Sequence, residues 1–335
     1  DGIIKNATYE RTNVRLNYEA KLNDKITLSS KMAYTYTESN RIQQSSNVSG
    51  LMLGLLRTAP DFDGRDYKGT YTSSSGTEYV NRGRSYRKPI GRSSNQTYTN
   101  PLWTVNEQTA LTKVNRITVT PQLTIKPTNW FSIITRGNID VADDKRTYFF
   151  PIGDASSRAQ GQFQEDVIDI RNSTLDIIGK ANFNLADNIN LTATAGWSYN
   201  DRKYNRISGN ITGFLVNSSK QTTALNTSAE ASSFSNYRSF RRSNRGYGIL
   251  NFDVNDELFL NVSGALEASS TINGTFFYPA ADVAWVVTEG MAGGDVFSFA
   301  KLRASWGQVG VQPSAHKFET LAEGGFGYST YSDPL

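Results

Sequence analysis

Few side chains in this sequence could carry covalent or metal chemistry. Among its 335 residues there is one histidine, His316 in the segment Gln312-Pro313-Ser314-Ala315-His316, and no cysteine. A nucleophile–base triad would need supporting groups around that one ring, and a site rich in His or Cys is impossible. Without cysteine there is also no thiolate nucleophile and no disulfide framework. Asp61-Phe62-Asp63-Gly64-Arg65-Asp66 opens like a calcium loop, but the closing glutamate is missing and Arg65 intrudes. Asp143 and Asp144 are adjacent, so in an extended segment they point to opposite sides and do not pair for acid–base work. Arg238, Arg241, Arg242 and Arg245 could gather phosphate or other anions, lipid headgroups included, or simply form the solvated end of a strand beginning near Arg245. Gly246-Tyr247-Gly248 and Gly324-Gly325-Phe326-Gly327 lack the strand-to-helix setting of a nucleotide loop. The expectation is a protein that is not an enzyme, with no catalytic residue, no cofactor and no metal.

The elements that would position any site are long alternating strands. Val14, Leu16, Tyr18 and Ala20 fall on one face, with Arg15, Asn17 and Glu19 on the other. After Lys21-Leu22-Asn23-Asp24-Lys25, Ile26, Leu28, Met32, Tyr34 and Tyr36 resume the apolar face. Leu175, Ile177, Ala181, Phe183 and Leu185 do the same before the turn Ala186-Asp187-Asn188, as do Ile189 to Tyr199 after it. The spacing predicts strands near 13–20, 26–37, 116–125, 130–141, 174–185, 189–200, 245–254 and 258–268, with a further pair at 278–289 and 301–308. That makes about ten strands in five hairpins. At roughly 10 to 13 residues each they exceed the usual soluble strand and match a tilted bilayer crossing. Short turns inside hairpins alternate with long connections at 39–111, 142–171, 201–244 and 269–276, the pattern of periplasmic turns and extracellular loops. Tyr34 and Tyr36, Trp130 and Phe131, and Trp197 and Tyr199 stand where such strands would leave the bilayer, as aromatic girdles do. The fold class expected is all-β: a transmembrane antiparallel β-barrel, incomplete in this chain.

Composition is compatible with that class. Hydrophobic residues make up 38% and aromatics 12%, with 17 Tyr and 17 Phe, and the net charge of +4 singles out no nucleic-acid partner. No run of about 18 apolar residues exists, which excludes a transmembrane helix but not membrane strands. The chain starts at Asp1 without a signal peptide, which suggests a piece of a longer protein. Opposite the apolar faces, Lys31, Arg116, Arg136, Asp176, Lys180 and Glu267 would line a hydrated lumen. In the first long connection, Val48 to Arg57 reads as a helix with Leu51, Leu55 and Leu56 along one side, stopped by Pro60. Beyond it Tyr67, Tyr71, Tyr79, Tyr86, Tyr98 and Trp103 offer aromatic area to a ligand or a lid, or pack as a buried satellite of the loop.

Four segments together resemble the SusC/RagA family of TonB-dependent outer-membrane transporters. They are Tyr9-Glu10-Arg11-Thr12-Asn13-Val14-Arg15-Leu16-Asn17, Leu55-Leu56-Arg57-Thr58-Ala59-Pro60, Tyr278-Pro279-Ala280-Ala281-Asp282-Val283-Ala284-Trp285, and Lys301-Leu302-Arg303-Ala304-Ser305-Trp306-Gly307-Gln308-Val309-Gly310. The last is the most specific, and the order is kept over nearly the whole chain. The resemblance implies a barrel of about 22 strands closed by an N-terminal plug. It also implies a TonB box that engages the TonB complex and a SusD-like surface lipoprotein acting as lid. Residues 1–335 would then be a middle portion of the barrel, with plug and C-terminal closing strands absent from this chain. The expected function is TonB-dependent import of a nutrient oligomer, an oligosaccharide or oligopeptide, across the bacterial outer membrane. Its partners would be the lid, the TonB complex, the cargo and outer-membrane lipid. Alternatives are a structural or adhesive barrel without transport, an outer-membrane enzyme, and a soluble β-rich carbohydrate-binding protein.

Overall fold

The computed structural model describes residues 3–41, 46–72, 75–84, 98–154, 158–216, 232–290 and 299–317. Ten strands form one antiparallel sheet in sequence order: β1 (Thr8–Asn23), β2 (Ile26–Asn40), β5 (Thr109–Ile125), β6 (Phe131–Ile152), β7 (Gln160–Ala186), β8 (Ile189–Thr212), β9 (Ser232–Val254), β10 (Leu258–Ser269), β11 (Ile272–Val286) and β12 (Lys301–Gly307). Between β2 and β5 lie α1 (Leu51–Arg57), the small hairpin β3 (Lys68–Thr72) and β4 (Glu78–Gly83), and α2 (Pro101–Glu107). A short α3 (Val287–Gly290) follows β11. No helix is long and apolar enough to cross a membrane among the described residues, and strands cross by other means.

Register turns the alternation into two chemically distinct faces. Across the sheet, Glu19, Ser29, Gln122, Arg136, Asp176, Ser198, Arg245 and Glu267 are successive cross-strand neighbours. One residue along, the row on the other face reads Ala20, Leu28, Leu123, Thr135, Ile177, Trp197, Gly246, Leu266 and Phe277. A slip of one residue in any pair would exchange polar for apolar on that strand, so the pattern fixes the register. Leu175, Ile177, Phe183 and Trp197 keep 39 to 44% of their surface exposed, and Ala181 is half-buried between its neighbours. The buried apolar residues are instead mostly gathered at one end of the sheet, around Trp103, Phe149, Phe150, Ile168, Ile211 and Phe214. An apolar face this continuous, with no protein core beneath it, suits hydrocarbon. Leu175 to Leu185 on β7, and Ile189 to Tyr199 on β8, span about 34 Å of strand. At a tilt of about 45° that is a band about 25 Å tall.

Aromatic rings mark both edges of this band. Trp197 and Tyr199 stack with centroids 6.2 Å apart at one edge, and Trp130 lies 5.7 Å from Phe131 and 5.5 Å from Phe183 at the other. Hairpin turns at the second edge, called the lower one, are tight as far as β10, whereas β11 and β12 are joined there by residues 287–300. Asn255 and Asp256 both adopt positive φ, +59° and +58°, and the Glu257 amide donates to the Val254 carbonyl at 3.1 Å. That primed turn matches strand twist, and Asn and Asp tolerate it better than other side chains.

The upper ends depart from expectation. Stretches 142–171 and 201–244, read from sequence as loops, are largely strand: β6 and β7 are joined at 153–159, and β8 and β9 at 213–231. Residues 269–276 likewise belong mostly to β10 and β11, which are joined by two residues. Above the apolar band the outward side chains turn mostly polar, so period-two contrast fades while the backbone ladder continues. Strand β1 also begins earlier than 13, β5 earlier than 116, and 287–289 is helical rather than strand. Helix α1 forms inside the expected range and ends before Pro60, but of its leucines only Leu51 is buried, with Leu55 51% and Leu56 81% exposed.

Glycine settles two close approaches. The Tyr247 ring lies over Gly196 on the polar face, where an added Cβ would stand 2.3 Å from a ring carbon, and Phe277 covers Gly264 on the apolar face at 2.8 Å. An aromatic ring over a strand glycine restores the packing that glycine lacks. Two predictions follow from the faces and the edges. In the intact protein, Ile177→Arg should destabilise the folded state in bilayers by about 2–4 kcal/mol, whereas Thr194→Arg on the opposite face should cost less than about 1 kcal/mol. Urea titration in lipid vesicles measures both, and equal costs would refute the facing. Strands β1 and β12 are each paired on one side only among the described residues, which leaves one edge of each open. Each unpaired backbone group in lipid costs several kcal/mol, so residues 1–335 expressed alone should give no closed barrel. A monomer of this chain that shifts gel mobility on heating would contradict that.

Candidate functional site

The upper end of the polar face holds the densest set of charged side chains. Alternate residues of β6 bring Asp144, Arg146, Tyr148 and Phe150 to this face. Gln162, Gln164, Asp166 and Ile168 of β7, and Tyr204 and Arg206 of β8, join them across the ladder. With Arg158, which precedes β7, they surround a cavity of about 390 Å³. Arg146 Nη2 lies 2.6 Å from Asp144 Oδ2, and Arg206 Nη2 lies 3.0 Å from Asp166 Oδ2. Gln164 Nε2 donates to Asp166 Oδ1 at 3.1 Å. Arg158 Nε donates to Gln162 Oε1 at 3.1 Å, and its guanidinium stacks 4.0 Å above the Phe150 ring.

These charges are held in a partly dry place. Asp166 is 3% exposed; burial works against its charge, but hydrogen bonds from Ser208, Gln164 and Arg206 prevail and lower its pKa. Hydrogen bonding to Asp144 raises the pKa of Arg146, and burial lowers that of Arg158. Arg206 Nε is buried without a hydrogen-bond partner among the described residues. A buried donor left open beside a cavity is where a ligand oxygen would gain most. Chemically the arrangement can bind a polar molecule carrying either sign of charge. Nothing in it activates a nucleophile.

The first long connection is tied to this wall by a second buried carboxylate. Asp154, 1% exposed, accepts from Thr99 Oγ1 at 2.8 Å and Gln108 Nε2 at 2.9 Å. Asn100 caps α2, accepting from the Leu102 amide at 2.9 Å, and Pro101 opens the helix. Arg158 Nη1 reaches Ser49 Oγ at 3.1 Å, which links the turn before α1 to the cavity.

The aromatic residues expected to meet a ligand divide accordingly. Trp103 is 1% exposed, in edge-to-face contact with Tyr67 at 6.4 Å. A side chain without accessible surface makes no ligand contact, so the expectation for Trp103 is corrected: it packs the loop's own core. The Tyr67 hydroxyl donates to Glu107 at 3.3 Å, and its pKa is raised by burial and by that carboxylate. Tyr79 lies under the Arg82 guanidinium at 5.0 Å and Tyr98 under that of Arg57 at 4.9 Å. Tyr71 sits in β3 with its side chain outside the described residues, as is the whole of Tyr86.

All six charged residues expected to line a lumen lie on the face opposite Ile177. Arg116 is 2.6 Å from Asp140 and Arg136 3.1 Å from Asp176, which also accepts from Ser198 at 2.7 Å. Lys31 stands between Asn17 and Thr120, Lys180 between Ser132 and Thr194, and Glu267 opposite Arg245. Missing from the sequence reading were Arg146, Asp166 and Arg206, and Asp144 entered it only as a carboxylate pointing away from Asp143. The i, i+2 pair Asp144/Arg146 would have flagged them had 142–171 been read as strand. In the calcium-like stretch, Arg65 clamps Asp63 with a 2.8 Å ion pair and holds its pKa at about 2, and no cluster suited to a metal ion occurs among the described residues. His316 Nε2 lies 2.9 Å from the Arg238 carbonyl, an ordinary surface contact.

No family model and no curated protein matches the chain by sequence. Solved structures do match by fold. The RagAB peptide transporter aligns over 90% of this chain and 33% of its own, with a TM-score of 0.66 and 14% identity. In its 'open-open' state the RagAB peptide importer aligns over 90% and 32%, at a TM-score of 0.70 and 14% identity. The 'closed-closed' state gives 0.63 at 15% identity, over 90% and 33%. The chain thus has the fold of a SusC/RagA-type TonB-dependent transporter barrel, spanning about a third of the length of the transporters it matches.

Proposed function

We propose that this chain is a middle portion of an outer-membrane barrel that imports a hydrophilic oligomer by TonB-dependent transport. Plug, TonB box and closing strands would belong to other parts of the same protein. The observation that carries this reading is the division of one sheet into an apolar face about 25 Å tall and a polar face whose charges lead up to the cavity beside Arg206. In a closed barrel the polar face lines the lumen, with Lys31, Arg116, Arg136, Asp176, Lys180 and Glu267 along the path and the Arg146–Asp144 and Arg206–Asp166 pairs near the mouth. Alternating charge at short spacing suits a cargo that carries both signs, as a peptide does, better than a neutral glycan. Likeness to a peptide importer points the same way. A SusD-like lipoprotein would close over the mouth, touching Tyr67, Tyr79 and Tyr98 of the connection between β2 and β5. Binding would bias a plug change through contacts that differ between the states, since a ligand shifts an equilibrium only by its differential affinity.

Transport is tested directly in the intact protein in cells. Arg206→Ala and Asp166→Ala, made together so that no lone charge stays buried, should lower uptake of a charged oligopeptide roughly tenfold, about 1.4 kcal/mol of binding. Insertion is checked by heat-modifiable mobility. Unchanged uptake of peptides in the correctly inserted double variant removes the mouth site. Loss of neutral glycan uptake instead would move the cargo to the other class. Deletion of residues 67–98 should weaken both lid association and uptake, while Asp256→Gly in a lower turn should alter neither. A deletion that inserts, binds the lid and imports normally refutes the role given to this loop.

A further inference from the structure

The apolar face carries a feature that transport does not use. Going up β7 its side chains run Leu175, Ser173, Arg171; going up β8, Tyr199, Asp201, Lys203; on β9, Asn244, Arg242, Phe240. Arg171 and Lys203 are direct cross-strand partners, and Asp201 is opposite Arg242. Like charges directly opposite each other destabilise an antiparallel pair. Asp201 is the one carboxylate in these two rows and is already shared, with Lys203 Nζ and Arg242 Nε both 3.3 Å from it. It is 15% exposed, against 46% for Lys203 and 61% for Arg242. Arg171 is exposed and has no salt bridge among the described residues. The next carboxylates, Asp143 and Asp169, stand opposite each other one register step higher.

We infer that Arg171, Lys203 and Arg242 form a binding site for a phosphorylated lipid of the outer leaflet. This rests on the proposed membrane orientation, in which the upper edge of the apolar band is the outer surface. Headgroup phosphates stand at that level, just above the stacked Trp197 and Tyr199, and an anion there neutralises the Arg171–Lys203 opposition. Lower on the same face is a groove of about 1110 Å³ floored by Gly179, Gly246, Gly248 and Gly264 and walled by Phe183 and Phe277. From Arg171 to the level of Ile177 is about 20 Å along the strand, or about 14 Å in depth at a tilt of about 45°. That is about 5 Å below the upper edge of the band at Leu175, so the groove lies along the upper part of an acyl chain hanging from the phosphate.

The experiment uses the intact protein in phosphatidylcholine nanodiscs doped with bisphosphorylated lipid A or with its dephosphorylated form. Native mass spectrometry reads the lipid retained on the protein. Expected is retention of the phosphorylated form at least about tenfold above the other, and loss of that preference in Arg171→Glu/Lys203→Glu. The charge-preserving Arg171→Lys/Lys203→Arg should keep it. Equal retention of the two lipids by the unaltered protein overturns the site, as does an undiminished preference in the Glu variant. Displacement of lipid A by millimolar inorganic phosphate would assign the cations to a free anion and also overturn it. If protein that inserts and imports normally shows no preference, the lipid site alone fails. If the protein does not insert at all, the membrane reading falls with it.

Discussion

Hydrocarbon offers no partner to a peptide group, so every amide and carbonyl within a membrane must find one in the protein. The rest of this structure answers to that constraint. From β1 to β12 the ladder passes through ten strands without a crossover, and the lower turns from β1 to β10 take five residues or fewer, which holds consecutive strands in register. Near-unbroken pairing frees the side chains from supplying a core. The face toward lipid can then be apolar and the opposite face polar, each on the same backbone. Glycine enters where rings must lie flat against the ladder, as with Tyr247 over Gly196 and Phe277 over Gly264.

The same ladder continues past the apolar band and becomes a different kind of structure. There both faces carry charge, and packing returns: Phe149 stacks on Phe214 at 5.8 Å, and Trp103 seals the loop's own small core. Asp154 joins the two parts, binding Thr99 and Gln108 of the connection at the end of β6. Arg158 joins them again from the side of the cavity. A ligand in the cavity would therefore press on the loop as well as on the wall. In the proposed transporter that would give a physical route from cargo to lid without any moving part inside the strands.

Charge pairs at the upper end of the polar face are better suited to recognition than to stability. Replacing a buried ion pair with well-packed apolar residues is often neutral or stabilising. What Arg146–Asp144 and Arg206–Asp166 provide is a set of fixed donors and acceptors that need little reorganisation when a polar chain enters.

Within the band, sequence alone determined the architecture. Alternation at Leu175, Ile177, Ala181 and Phe183, and its repetition from strand to strand, fixed the faces, the neighbours and the lower turns, because lipid on one side and water on the other leave a period-two trace. It also placed the six charged residues opposite the apolar side. Above the band only tertiary structure decided. Polar residues on both faces erase the period, so 142–171 and 201–244 read as loops although 142–152, 160–171, 201–212 and 232–244 pair as strands. The cavity is made by residues from β6, the segment before β7, β7 and β8, whose proximity depends on those unseen extensions. Trp103 shows the converse limit: an aromatic in a polar loop reads the same whether it awaits a ligand or is sealed by Tyr67 and the Asp154 anchor. Which of the two holds is set by contacts distant in sequence, and no local pattern records them.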